Sequence, residues 1–75
     1  MPVLKDFGGF QISMYFQDEN PPHVHVECAN YAAKVSIKGA IVLRGQIDKK
    51  FRKQALEWII ENCAMLEEKW AEFSE

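Results

Sequence analysis

At 75 residues the chain has room for one domain, and 48% hydrophobic with 27% charged residues describe a globular chain, not a disordered one. Net charge is −2, and the two cysteines, Cys28 and Cys63, are too few for a disulfide scaffold and too far apart for a redox or zinc motif. No apolar stretch approaches the roughly 20 residues that span a bilayer.

In chain order, Val3-Leu4 reads as a short strand-like start, set apart by Gly8-Gly9. Phe10 to Phe16 alternates strictly and predicts a half-buried strand with Phe10, Ile12, Met14 and Phe16 on its inner side. Residues 17–22 are polar and end in Pro21-Pro22, which cannot continue a central strand. His23 to Cys28 alternates again, with Val24, Val26 and Cys28 on one face and His23, His25 and Glu27 on the other. After a turn at Ala29-Asn30, Val35 and Ile37 mark a third strand with Lys34, Ser36 and Lys38 facing outward. Ile41-Val42-Leu43 forms a short fourth strand closed by Gly45. Its register stays open, because two- and three-residue loops put opposite faces inward.

From Asp48 the period changes. Phe51, Ala55, Trp58, Ile59, Cys63, Leu66, Trp70 and Phe73 recur at steps of three or four, the stripe of an amphipathic helix with Asp48 as its N-cap. The stripe keeps its phase through Asn62, which predicts one long helix, with any bend placed there, over two short ones. The expected fold is therefore α+β and a single domain over residues 1–75. A small antiparallel β-meander over about 3–45 precedes a long C-terminal helix over about 48–73, packed on the sheet. A core of this size supplies about 3–5 kcal/mol, so a partner chain or a homodimer would add stability. The start Met1-Pro2-Val3-Leu4-Lys5-Asp6 lacks the pattern of a signal peptide, and a cytoplasmic protein without a membrane partner is expected.

Charge is uneven along the chain. Seven basic residues (Lys34, Lys38, Arg44, Lys49, Lys50, Arg52 and Lys53) stand against Asp48 between Tyr31 and Leu56, and five acids against Lys69 from Glu61 onward. This is either a basic face for an anionic partner or ordinary solvated surface. Lys49, Lys50, Arg52 and Lys53 crowd a helix start, the end where the dipole gains nothing from cations, which points mildly to a partner such as RNA or an acidic protein.

The densest run of reactive side chains is Asp18-Glu19-Asn20-Pro21-Pro22-His23-Val24-His25-Val26-Glu27, which holds both histidines of the chain. His23, His25 and Glu27 share a strand face, and the two prolines stiffen the approach to it. Two imidazoles and a carboxylate in a row suit acid–base work, phosphate contact or metal binding. Equally, the row is what an idle solvated face presents. A metal site normally needs three or four ligands, and only Glu27 with a distant Asp18 or Glu19 could complete it, so neither a metal nor a cofactor is expected. Tyr15 and Tyr31 fall on the polar phase, where they either line a cleft and stack on a base or pack at the rim of the core.

These residues resemble a family of small bacterial proteins, domain of unknown function 4160. The match is carried by Met14-Tyr15-Phe16, Asp18 and above all Asn20-Pro21-Pro22-His23-Val24-His25-Val26, and is extended by Tyr31, Gly45, Leu56-Glu57-Trp58, Leu66 and Trp70. Members often sit beside a gene for a second small family, domain of unknown function 2442. The resemblance thus implies a two-gene toxin–antitoxin module with this chain as the toxin and a small cognate antitoxin as its partner. Relatives often carry His where this chain has Glu19, which removes one imidazole from any metal set. The resulting expectation is a growth-inhibiting toxin that acts on RNA or translation through a metal-independent, ribonuclease-like site. In it His23 and His25 are the acid–base or phosphate-contacting pair, oriented by Glu27 or Asp18. Lys49, Lys50, Arg52, Lys53 and Tyr15 hold the nucleic acid. Two other readings stay open: a non-catalytic module that recognises a partner protein or operator DNA, and a small metalloprotein.

Overall fold

The computed structural model describes residues 3–15 and 21–74. Five strands, β1 (Val3–Asp6), β2 (Phe10–Ser13), β3 (His23–Cys28), β4 (Ala32–Ser36) and β5 (Val42–Gly45), pair antiparallel in sequence order to make one meander sheet. Each alternating apolar run lands on the same face because the register aligns them. Phe10 lies opposite Cys28, Ile12 opposite Val26, and Val24 and Val26 opposite Val35 and Ala33. These side chains, with Met14, form the sheet half of the core, in which Ile12, Val24, Val26 and Val35 are fully buried. The expected position of Phe16 on this face lies outside the described residues.

The helical half of the core follows the expected stripe. Ala55, Ile59, Leu66 and Trp70 are buried, and Phe51, Trp58, Cys63 and Phe73 pack beside them. The helix begins at Lys49 with Asp48 as its cap, whose Oδ1 accepts from the Lys50 amide at 3.1 Å. Phe51 pins this first turn to the start of β2. Its ring lies 5.0 Å from that of Phe10, in the space that a side chain at Gly9 would fill.

The single long helix expected over 48–73 is corrected to two, α1 (Lys49–Glu61) and α2 (Cys63–Ser74). The cause is Asn62, whose backbone leaves the helical region (φ −110°, ψ 19°). Its side-chain Nδ2 donates to the Trp58 carbonyl at 2.8 Å, and its own amide donates to the same oxygen at 3.0 Å. The i→i−4 ladder continues on both sides, the Leu66 amide donating to the Asn62 carbonyl at 2.9 Å, so this is a one-residue break at which the extra side-chain bond bends the helix and the apolar phase is kept. Among the described residues no helix is long and apolar enough to cross a membrane.

The two neighbours Ile59 and Ile60 offer a direct test of this packing, since the first is fully buried and the second is 60% exposed. Ile59→Ala is expected to cost about 2–5 kcal/mol, comparable with the whole stability of so small a domain. Ile60→Ala is expected to stay within about 0.5 kcal/mol. Urea denaturation followed by circular dichroism measures both.

Candidate functional site

Parity along β3 places His23, His25 and Glu27 on the face away from Val24 and Val26, but their surroundings differ sharply. His23, at the first position of the strand, is only 1% exposed. Its Nδ1 lies 2.8 Å from the Pro21 carbonyl, and its ring meets the Trp70 indole at a centroid distance of 5.1 Å. A carbonyl oxygen only accepts, so Nδ1 carries the hydrogen and the lone pair of the neutral ring sits on Nε2. The diproline loop is itself tied down, because the Pro22 carbonyl accepts from the Ile37 amide at 3.1 Å. The rigid approach expected from Pro21-Pro22 thus ends in a clamp around a buried imidazole, and for His23 the solvated-face alternative is excluded.

His25 is half-buried and sits one pleat further along, its ring 5.0 Å from that of His23 and steeply tilted to it at 72°. Tyr15 stacks on it nearly flat, at 4.1 Å and 13°. A ring face of Tyr15, expected to be offered to a base, is therefore used to fix the plane of His25. Glu27 bonds across to β2. Its carboxylate accepts from Ser13 Oγ at 3.2 Å and from Gln11 Nε2 at 3.3 Å, both on the β2 side. Asp18, the other expected orienting carboxylate, lies outside the described residues, as do Glu19 and Asn20.

The expected nucleic-acid cluster at Lys49, Lys50, Arg52 and Lys53 is not brought to the histidines. Phe51 anchors that helix start on the apolar face beside Phe10, which pairs with Cys28 at the far end of β3 from His23. Lys50 Nζ lies 5.8 Å from the Phe51 ring, a cation–π distance that gives it a local role. Basic groups do reach His25 from another quarter. The register sets Ser13, His25, Lys34 and Arg44 side by side across β2, β3, β4 and β5. A shallow depression of about 290 Å³ is lined by His25, Lys34 and Arg44 with Ala32, Ala33 and Gly45. A second hollow of about 300 Å³ lies on the other side of His23, between the diproline loop and Glu67 and Trp70 of α2.

Two site members were hidden in the sequence. Trp70 reads as a core residue of the helical stripe, and only the break at Asn62 with the docking of α2 reveals it as the lid on His23. Arg44 could not be assigned a face because the register of β5 is irregular between Lys34 and Val35, whose partners are Arg44 and Val42. Among the described residues no group of three or more His, Cys, Asp or Glu side chains converges as a metal cage would require.

Chemically, the arrangement offers one buried, tautomer-fixed imidazole supporting a second that solvent and ligands reach, with cationic side chains beyond it. The class so defined is a small α+β meander domain with an imidazole–aromatic cluster at the start of its central strand. The chain belongs to the family described as domain of unknown function (DUF4160), whose model matches residues 9–71. Comparison with curated proteins and with solved structures gives no match.

Two predictions follow from the unequal histidines. His23→Ala removes a buried ring and strands the Pro21 carbonyl, at an expected cost of about 2–4 kcal/mol in urea denaturation, whereas His25→Ala is expected to cost less than about 1 kcal/mol. With only two imidazoles in the chain, purified protein is expected to carry no stoichiometric zinc by elemental analysis. Stoichiometric zinc that disappears in His25→Ala would overturn that expectation.

Proposed function

We propose that this protein is the growth-inhibiting member of a toxin–antitoxin pair and that it acts on RNA through His25. The observation that supports this most is the pairing of two imidazoles in unequal settings, rings 5.0 Å apart, one sealed and one reachable. Cleavage of RNA needs a base for the 2′-hydroxyl and an acid for the leaving oxygen, and imidazole serves either role near neutral pH. Because His23 is sealed, contact with the substrate falls to His25, which takes the 2′-hydroxyl proton while water protonates the leaving oxygen. His23, held by the Pro21 carbonyl and Trp70, acts as a positioning residue beneath it. The Tyr15 stack restricts the His25 ring to one plane, which is the preorganisation that proton transfer requires. No metal takes part in this reading.

One observation favours a second reading. A histidine buried under a Trp with its Nδ1 on a backbone carbonyl is also what a purely structural histidine looks like, and on that basis the domain binds RNA or a partner protein without cleaving anything. The two readings separate on His25→Ala. Induced expression of the wild type is expected to arrest growth, and co-expression of the small protein encoded beside it to relieve the arrest. If the site is catalytic, folded His25→Ala loses about 10²–10⁴-fold in RNA cleavage and no longer arrests growth. Undiminished arrest by the folded variant assigns the site to a binding interface instead.

A further inference from the structure

The helical layer has an outer face that the sheet does not use. Lys53, Glu57, Ile60, Ala64, Glu67 and Ala71 follow one another at steps of four and three, and all six are exposed. Because the phase carries across Asn62, that spacing keeps them in one line along α1 and α2, opposite the buried line of Ala55, Ile59, Leu66 and Trp70. The middle of the exposed line is apolar. Ile60 is 60% exposed, and Ala64, one turn later, carries only a methyl group, so a second helix can approach closely there.

The charges are ordered by sign about this middle. Lys53 stands seven residues before Ile60 and Glu67 seven residues after it, about two helical turns in each direction. Lys49 and Lys50 extend the basic end and Glu68 the acidic end, all three exposed. A two-fold axis at Ile60, perpendicular to the helices, exchanges the two ends and brings Lys53 of each copy beside Glu67 of the other. Glu57, one turn from Lys53 on its own helix, adds a second carboxylate near that ammonium. Contact between identical surfaces requires this kind of self-complementarity. A partner of one sign of charge would match one end of the face and be repelled at the other.

From this we infer that the outer face of α1 and α2 is the contact between two copies of this chain, packed antiparallel about a two-fold axis. Ile60 and Ala64 meet at the axis, and two Lys53–Glu67 pairs flank it. The inference goes beyond the RNA-directed reading and does not depend on it. His25 stands on the sheet face away from Val24 and Val26, and the helices cover the face that those valines form, so the dimer leaves His25 accessible in both copies. Six positions, against the roughly 20–30 residues a side of a standard interface, make a weak dimer that dissociates in the range of about 10 µM to 1 mM. For a chain of 75 residues even this adds stability by mass action.

The test is sedimentation velocity of the full chain over that concentration range, about 10 µM to 1 mM. Wild type is compared with Ile60→Asp, Lys53→Glu and Glu67→Lys, each first shown by circular dichroism to keep its helix content and a cooperative urea transition. The wild type is expected to pass from one chain to two and stop there, with weaker association at about 500 mM salt than at about 50 mM. Ile60→Asp sets two carboxylates at the axis, and each charge reversal creates two like-charge contacts. Each variant alone is therefore expected to dissociate about tenfold more readily or worse. An equimolar mixture of Lys53→Glu with Glu67→Lys restores opposite charges at both contacts, and is expected to form a heterodimer of wild-type strength. A wild type that stays a single chain throughout overturns the inference and leaves the face to another partner or to water. A dimer that all three variants leave intact overturns it by placing the contact elsewhere. Growth beyond two chains would mean a head-to-tail contact, and a mixture that fails to associate would mean that Lys53 and Glu67 do not meet; either result overturns it. If Ile60→Asp does not fold, the charge-swapped mixture carries the test alone.

Discussion

The start of β3 is covered on both faces, and most of the molecule is arranged to make that possible. On one side Val24 packs into the sheet–helix core; on the other, one residue earlier, His23 is enclosed between the diproline loop and Trp70. A polar ring can be buried only if its nitrogens are satisfied, and the Pro21 carbonyl meets that need at Nδ1. Pro21 and Pro22 have no backbone amide to satisfy. Their carbonyls, both turned to account, accept from His23 and from the Ile37 amide. Among the described residues no buried side-chain nitrogen or oxygen lacks a hydrogen-bond partner.

The lid over His23 comes from α2, the last element of the chain, whose Trp70 meets the His23 ring. Trp70 keeps the phase of Ala55 and Ile59 and shares their core. Cys63 approaches the Ile37 carbonyl, with Sγ at 3.6 Å, and Trp70 reaches His23. The Asn62 side chain bonds the Trp58 carbonyl at the junction of the two helices.

How much of this could be read from residue order differs by element for physical reasons. Period-two alternation in β2 and β3 and the three-to-four spacing after Asp48 are strong local signals, and the core they foretell is the core observed, from Phe10 and Ile12 to Leu66 and Trp70. Burial of His23 was not legible, because strand parity says which side a residue faces and not whether another element covers that side. The helix break was missed because the apolar stripe keeps its phase across Asn62, while the interruption is made by a hydrogen bond that the stripe does not record. The association of Lys34 and Arg44 with His25 depends on a bulge and on Gly45 adopting positive φ, and neither follows from hydrophobic pattern. A cluster of cations contiguous in sequence, at Lys49 to Lys53, is visible in residue order; the pairing of Lys34 with Arg44 across two strands is not.

Net charge is a poor guide to what such a surface attracts. Charges exposed to water influence one another only over about 8–10 Å at physiological salt, so a ligand on the sheet senses the groups within that radius and little else. The acids that make the chain negative overall are concentrated from Glu61 onward, on the end of α1, on α2 and at the C-terminus. Among the described residues, Lys34 and Arg44 line the depression beside His25, while Glu27 accepts from Ser13 and Gln11 of β2. A chain of net charge −2 can thus gather cationic side chains in one place without contradiction, and the acidic helix limits adhesion to anionic surfaces elsewhere on the molecule. The register that puts His25, Lys34 and Arg44 in one row is set by backbone hydrogen bonds and by the glycine that lets β5 close against β4.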